Sequence, residues 1–557
     1  MKLNHPISML AGLGLLVGFV VAPTIGATQT AAATRADAEK DPLLNAMLVE
    51  LDRSMSQLEL PGFARPFFIQ YRVEDVDDFQ AKADFGASEG SSRSHQRVAR
   101  ITVRVGDYKT DSSGGRGDGS LQLAGLEDDP IALRSALWAG TDQAYKSALA
   151  AYAQKQAELK QVQTLPQADD SSKEPVLISL SDPGKLEVDE AAWVTRVARA
   201  SGLYRTDAAM KESERDVEYS NSEFHARVTT TWLVNSEGTI VRKSADEYQQ
   251  TIAVGTQAAD GMRLDRSYAT TGDSLKDLDA ADVFGKHAVG LISSLTDLRK
   301  APLVDEEYHG PVLLSADASA DTMRTLLASA VTATRPKLGT EARTNGAFAS
   351  SFHARVLAEF LDVVDDPLLS SFGGKGLVGA YRVDDEGVAA QAVKLVTAGK
   401  LESYLIGREP VRDFPQSNGH GRAGVTGPPR PSIGVLKVSA QDGLSGDELN
   451  KKLLDLGKDR GLKSVHFVET LGGEAPRLLY RIGSDGKREL VRGAALDDLD
   501  QRALRSGVQA AGKDLFVGNF YGDVPQTVMA PALLFDDLTL RRANEKNDKL
   551  PFYPPPD

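Results

Sequence analysis

No cysteine occurs among the 557 residues. The fold must therefore be held without disulfides, and the chain offers no thiolate as nucleophile or as ligand to zinc or an iron–sulfur cluster. Stability then rests on burial, for which 41% hydrophobic residues provide ample apolar material. A chain of this length is expected to divide into about two to four domains. With 78 acidic against 64 basic residues the net charge is −14, which disfavours a general nucleic-acid binder, because neutralising phosphates needs a basic face.

After Lys2, residues Ile7 to Ala22 form an uncharged apolar run, followed by Pro23 and the small-residue stretch Gly26-Ala27-Thr28. This reads as a signal peptide over 1–27 with cleavage near Ala27, the alternative being a retained anchor. Losing Lys2, the one formal charge in that stretch, takes the net charge from −14 to −15. A periplasmic or secreted protein is expected, with no later segment apolar enough to span a membrane.

Residues 28–40 read as a polar tether. Asp41-Pro42 then opens a helix with Leu44, Met47, Leu48, Leu51 and Met55 turned inward. Strands are expected at Pro66 to Val73 and Gln96 to Val105, separated by polar loops. Asp129-Pro130 begins a long helix to about Val162, expected to protrude, and Asp189 to Ser201 reads as another. From Val217 the pattern predicts an antiparallel meander, closed by a helix over Ala281 to Lys300. These segments make 41–300 an N-terminal α+β domain. Residues 301–540 alternate strands and turns, with Tyr381 to Gly387 among the expected strands and helices expected at Ala320 to Ala333 and Gly446 to Gly457. That is a β-rich C-terminal domain, followed by a polar, Pro-rich tail over 541–557.

Several strings resemble the TldD/PmbA family of metallopeptidases. They are Asn235-Ser236-Glu237-Gly238, Val383-Asp384-Asp385-Glu386-Gly387, Ala398-Gly399-Lys400-Leu401-Glu402-Ser403-Tyr404-Leu405 and Ser417-Asn418-Gly419-His420-Gly421-Arg422. Leu490-Val491-Arg492-Gly493-Ala494 and Met529-Ala530-Pro531-Ala532-Leu533-Leu534 follow in the family's order. The resemblance implies a two-domain α+β architecture, a mixed α/β N-terminal half with a β-rich C-terminal domain, whose catalytic members cleave unfolded peptides. Those members carry His-Glu-x-x-x-His on a helix, with two imidazoles on zinc, a glutamate to take the water's proton, and a later Cys. Here the corresponding stretch, from Ser315 through the expected helix to Ala333, contains neither histidine nor glutamate. No catalytic residue transfers, so the zinc motif is degenerate. No cofactor is expected in this chain itself, and zinc is expected in a partner subunit.

Other constellations are weaker. The eight histidines form no His-x-x-His or His-x-x-x-His pair. His309, His353 and His420 can converge on a metal only through the fold, and satisfied surface or core histidines are the simpler reading. Asp317 and Asp321 share a helix face, as a hard-cation site or as acids near a helix N-terminus. Asp384-Asp385-Glu386 reads as a strand-ending turn closed by Gly387, since strand neighbours alternate faces and cannot all converge. In the loop Ser417 to Arg422, Asn418, Gly419, His420 and Arg422 are candidates for meeting a peptide carboxylate or carbonyl, against simple loop flexibility. Arg430 and Arg492 read as structural charge partners. The Arg-Gly-Asp string within Gly114 to Gly119 and the Gly-x-Ser-x-Gly match at Gly86 to Gly90 read as loops.

The expectation is an exported, non-catalytic subunit or peptide-handling partner of a motif-bearing TldD/PmbA-type homologue, acting on unfolded peptides. The alternatives are an active metallopeptidase with a non-family metal site and a stand-alone envelope peptide-binding protein.

Overall fold

The computed structural model describes residues 33–543 except 115, 116, 118, 164, 165, 167, 212–215, 305, 306 and 474. The expected signal segment, residues 28–32 of the tether, nearly all of the tail and part of the Arg-Gly-Asp string lie outside the described residues. The rest of the tether is no open linker but carries a short helix, Arg35–Ala38, capped by Thr34 and with Ala38 buried.

Two sheets organise the chain. The first is built from β1 (Pro66–Asp84), β2 (Ala87–Val105), β3 (Ser120–Ala124), β4 (Ile178–Leu180), β5 (Tyr219–Asn235), β6 (Ile240–Gln257) and β7 (Arg263–Gly272). Its order is β3-β2-β1-β5-β6-β4, with β7 also on β6, and it is antiparallel except where β4 joins β6. Helices α1 (Arg35–Ala38), α2 (Pro42–Gln57), α3 (Pro130–Leu159), α4 (Glu190–Ser201), α5 (Leu203–Thr206) and α6 (Ala281–Lys300) accompany it. The expected loops between the first two strands are instead one long hairpin. It turns at Phe85 and Gly86, both with positive φ, so Gly86 to Gly90 is turn and strand with no nucleophile elbow. Nor does α3 protrude: Leu133, Leu137, Ala144 and Tyr145 are buried in a core with α2, β1 and β2.

Strand alternation explains what this sheet does. Along β1, Ile69, Tyr71, Val73, Phe79 and Ala81 enter the cores beneath the helices. The intervening Gln70, Arg72 and Glu74 are buried too. They point the other way, where Arg72 Nη2 donates to Gly424 O at 3.0 Å and Gly427 O at 2.9 Å of the second half. A strand covered on both faces, apolar on one and charged on the other, is thus the floor of the seam between the halves.

The second sheet contains β8 (Tyr308–Leu314), β9 (Leu361–Asp365), β12 (Val393–Thr397) and β13 (Lys400–Leu401), with β10 (Ser371–Phe372) and β11 (Lys375–Gly376) forming a separate small hairpin. After the short pair β14 (Gly421–Arg422) and β15 (Arg430–Pro431) come β16 (Val435–Ala440), β17 (Ser464–Gly472), β18 (Ala475–Gly483), β19 (Arg488–Val491), β20 (Ala494–Leu496), β21 (Val508–Phe520) and β22 (Gln526–Arg542). The order is β13-β12-β9-β16-β22-β8-β17-β18-β19, with β20 and β21 also on β22. Helix α7 (Ala316–Leu326) joins the core of one face through Met323, beside Val312 and Leu314. Helix α8 (Gly446–Asp459) covers the other through Leu449 and Leu453, beside Leu313. Residues Tyr381 to Gly387, expected as a strand, form turns with one bridge between Val383 and Ala389.

Candidate functional site: helix α7 and the seam between the halves

Helix α7 follows β8, where the resemblance locates the zinc helix. Ser315 caps it by accepting from Ala318 N at 3.0 Å, so the helix begins before Ala320 and ends at Leu326, well short of Ala333. Its inner face is made of small residues, Ala318, Ser319, Ala320 and Thr322, with Met323. The Thr322 hydroxyl donates back to Ala318 O at 2.9 Å, while the buried Ser319 Oγ has no partner. Burial, with Asp321 adding to it, pushes the Asp317 carboxyl up, and Asp321 accepts from Arg324 at 3.1 Å. Hydroxyls, two carboxylates and a guanidinium do not fit a zinc ion held by paired imidazoles. Among the described residues no group of three or more His, Asp or Glu side chains is placed to hold a metal.

The three candidate histidines have separate surroundings. His309 is 62% exposed, 3.2 Å from Glu307 and 3.1 Å from Thr539 Oγ1. His353 is 65% exposed, 3.2 Å from Glu402. His420 is fully buried: Nδ1 lies 3.0 Å from Asn418 O and Oδ1, and Nε2 3.2 Å from Asp365 Oδ1. Asp365 in turn accepts from Gly434 N at 3.1 Å and Val435 N at 3.2 Å, tying the imidazole to the end of β9 and the start of β16.

The loop Ser417 to Arg422 is fastened at nearly every residue. Ser417 N donates to Glu174 Oε1 at 3.0 Å, across the seam. Asn418 Nδ2 donates to Tyr404 O at 2.8 Å, and its Oδ1 accepts from Ile406 N at 2.9 Å. Gly419 has φ +74° and lies so close to Ala389 that a Cβ would sit 2.3 Å from its carbonyl oxygen. Arg422 stacks 4.0 Å over Tyr381 and faces Asp385 at 3.5 Å. Gly419 and His420 are therefore buried and Asn418 and Arg422 half-buried, close to the acids Asp384, Asp385 and Glu386.

Because Asp384, Asp385 and Glu386 lie in a turn, they escape the alternation of a strand. Asp384 Oδ1 accepts from Glu386 N at 2.9 Å and Val388 N at 2.8 Å, and its Oδ2 from Gly421 N at 3.0 Å. Glu386 Oε2 accepts from Arg408 N at 2.6 Å. Asp385 accepts from Ala423 N at 2.8 Å and from Lys243 Nζ, on β6 of the first half, at 2.6 Å. Burial works to raise the Asp385 carboxyl, but Lys243, Arg422 and Arg72 together hold it below the usual carboxylate range. Glu74, on β1, is buried as well: burial pushes it up to about 7, against the pull of Arg72. Arg408 extends the seam, its Nη2 donating to Glu237 at 2.8 Å and Ser172 O at 2.7 Å. Arg492 is a charge partner, 3.0 Å from Asp260, and Arg430 is among the residues that line an open space.

That space is a cleft of about 1070 Å³ lined by α3, through Ala151, Gln154 and Lys155, and by the segment Thr334–Leu338, with Glu409 and Arg430 also in its lining. Ser113, Glu409 and Arg430 also line a smaller cavity reaching Phe68, Gln70, Glu386 and Arg408. The cleft was not legible in the sequence, because its walls come from segments far apart in the chain with no shared motif.

Residues 307–542 match the PmbA/TldA metallopeptidase C-terminal domain. No curated protein sequence matches the chain. Among solved structures, TldE from Thermococcus kodakarensis superposes with TM-score 0.57 at 14% identity, covering 89% of this chain and 99% of its own. A proposed modulator of DNA gyrase from Thermotoga maritima gives TM-score 0.56 at 14% identity, with 91% and 100% covered. A proposed modulator of DNA gyrase from Bacteroides thetaiotaomicron gives 0.58 at 12%, with 91% and 99% covered. At such identities these likenesses speak for the fold. The matched C-terminal domain, with a fold likeness that extends over most of the chain, supports a TldD/PmbA-family protein.

Proposed function

We propose that this chain is an exported, non-catalytic TldD/PmbA-type subunit that handles unfolded peptide for a zinc-bearing homologue. One observation carries the reading: the family fold extends across most of the chain, while α7 offers Ser, Thr, Asp and Arg where catalytic relatives carry paired histidines. Retained architecture without the metal donors favours a role of shape over one of bond breaking. The cleft beside α3 supports it further, being an open space of about 1070 Å³ with both charged and apolar walls that an extended chain can occupy. Export rests on the apolar run Ile7 to Ala22. The zinc, the activating glutamate and the cleavage chemistry belong to the partner in this account.

The experiment mixes the purified chain with the His-Glu-x-x-x-His homologue from the same source and measures mass in solution. A two-subunit species at micromolar concentrations is expected. Two separate monomeric masses would defeat the partnership, and N-terminal sequencing of native protein that begins at Met1 would defeat processing.

A further inference from the structure

We propose that the first half holds a second, separate site, between α4 and α6, that binds a small apolar carboxylate. A cavity of about 370 Å³ opens there, within the size range of small-molecule sites. Leu203, Phe284 and Val289 supply an apolar wall, and Arg196 and Arg199 stand one helical turn apart on α4. It shares no lining residue with the seam cleft.

Two observations point to an anion. Gln250, on β6, lines the cavity and is fully buried; its Oε1 accepts from Arg196 Nε at 2.8 Å, whereas its buried Nε2 has no partner. A buried amide donor left unmatched is costly unless a ligand or water answers it. Arg196 is already positioned, its Nη2 donating to Asp279 O at 2.6 Å and its guanidinium 4.5 Å over the Trp193 ring. Arg199, by contrast, is exposed and makes no side-chain hydrogen bond or ion pair among the described residues. A fixed guanidinium, an available one and an unmatched amide N–H suit a carboxylate, which accepts through both oxygens. The apolar wall suits a short aliphatic body. Asp207 and Asp282 also line the cavity, and Lys286 lies 3.8 Å from Asp282.

Such a carboxylate is found both on a free aliphatic acid and at the C-terminal residue of a peptide. Ligand-detected NMR on the full chain separates these sources, using hexanoate, N-acetyl-leucine and the uncharged N-acetyl-leucinamide. Saturable binding of at least one carboxylate, with the amide unbound, is expected: hexanoate alone marks an aliphatic acid, N-acetyl-leucine alone a peptide terminus, and both a site that reads the shared chemistry. Arg199→Gln and Gln250→Leu should each weaken binding by about tenfold or more, the size of one lost charge-assisted contact. Gly285 gives the independent check. It lies within α6 at the cavity, and a Cβ there would meet nothing nearer than Leu203 Cδ1 at 4.0 Å. Gly285→Phe should fill the space and abolish binding with the melting temperature retained. Failure of both carboxylates to bind, equal binding of the amide, or binding unchanged in folded Gly285→Phe would overturn the proposal. Because the readout is small-molecule binding to this chain alone, it stands or falls separately from the partnership.

Discussion

Helix α7 and the turn-and-loop pair at Asp384–Ala423 bury polar side chains in opposite ways. In α7 the polar groups of the inner face are small and neutral: Thr322 satisfies itself within the helix, and Ser319 is left without a partner. The seam instead buries carboxylates and cations together, and each acid is met by backbone N–H groups or by a cation from the other half. The contrast teaches where the fold concentrates its electrostatics. The helix that stands where the resemblance locates the zinc motif packs small residues into the core, and a loop whose composition allowed flexibility joins the two halves.

The strongest way to break this contrast is Lys243→Ala. It leaves Asp385 buried without its closest cation, and removing one partner of a buried pair costs about 3–5 kcal/mol, measurable by urea unfolding. Since the Asp385 carboxyl is held below its ordinary value of 3.8, the pair's contribution is complete above that pH and fades as pH falls beneath it. The penalty of Lys243→Ala should therefore shrink in acid. Gly419→Ala comes next: a side chain at φ +74° set against Ala389 O should cost about 3 kcal/mol by the same measurement.

Glu74→Gln sharpens the comparison through pH. In the folded chain Glu74 keeps its proton up to about 7, while the unfolded chain releases it near 4.5, so wild-type stability falls as pH rises across that window and levels off above it. Glu74→Gln should remove that slope, on the order of 3 kcal/mol between the ends of the window. The smallest effect belongs to α7. Ser319→Ala deletes a buried hydroxyl that bonds to nothing, and relieving that unmatched group should raise stability by about 1 kcal/mol.

Much of the helical framework was legible because helices announce themselves locally. Asp41, Asp129, Asp189 and Ser445 each cap the helix expected after them, and α6 spans Ala281–Lys300 as its periodicity predicts. The same signal was available for α7, whose Ser315 cap and Asp317 fix a start ahead of Ala320. Strands were harder. The second strand exposes Ala87 through Gln96 continuously, so no alternation marks it, and the first carries buried charge on its seam face. At Tyr381 to Gly387 the apparent strand fails because Asp384 binds the backbone N–H groups of Glu386 and Val388, a side-chain turn that competes with extended pairing. His420 shows the limit most clearly: its partner Asp365 lies 55 residues away, and no local pattern foretells the pair.

The most direct test of the central claim is peptide cleavage measured on three samples with one unstructured substrate: this chain with zinc supplied, the motif-bearing homologue alone, and their mixture. The account predicts no cleavage by this chain, little by the homologue, and full activity in the mixture. Cleavage by this chain alone, or a homologue fully active without it, would contradict the account.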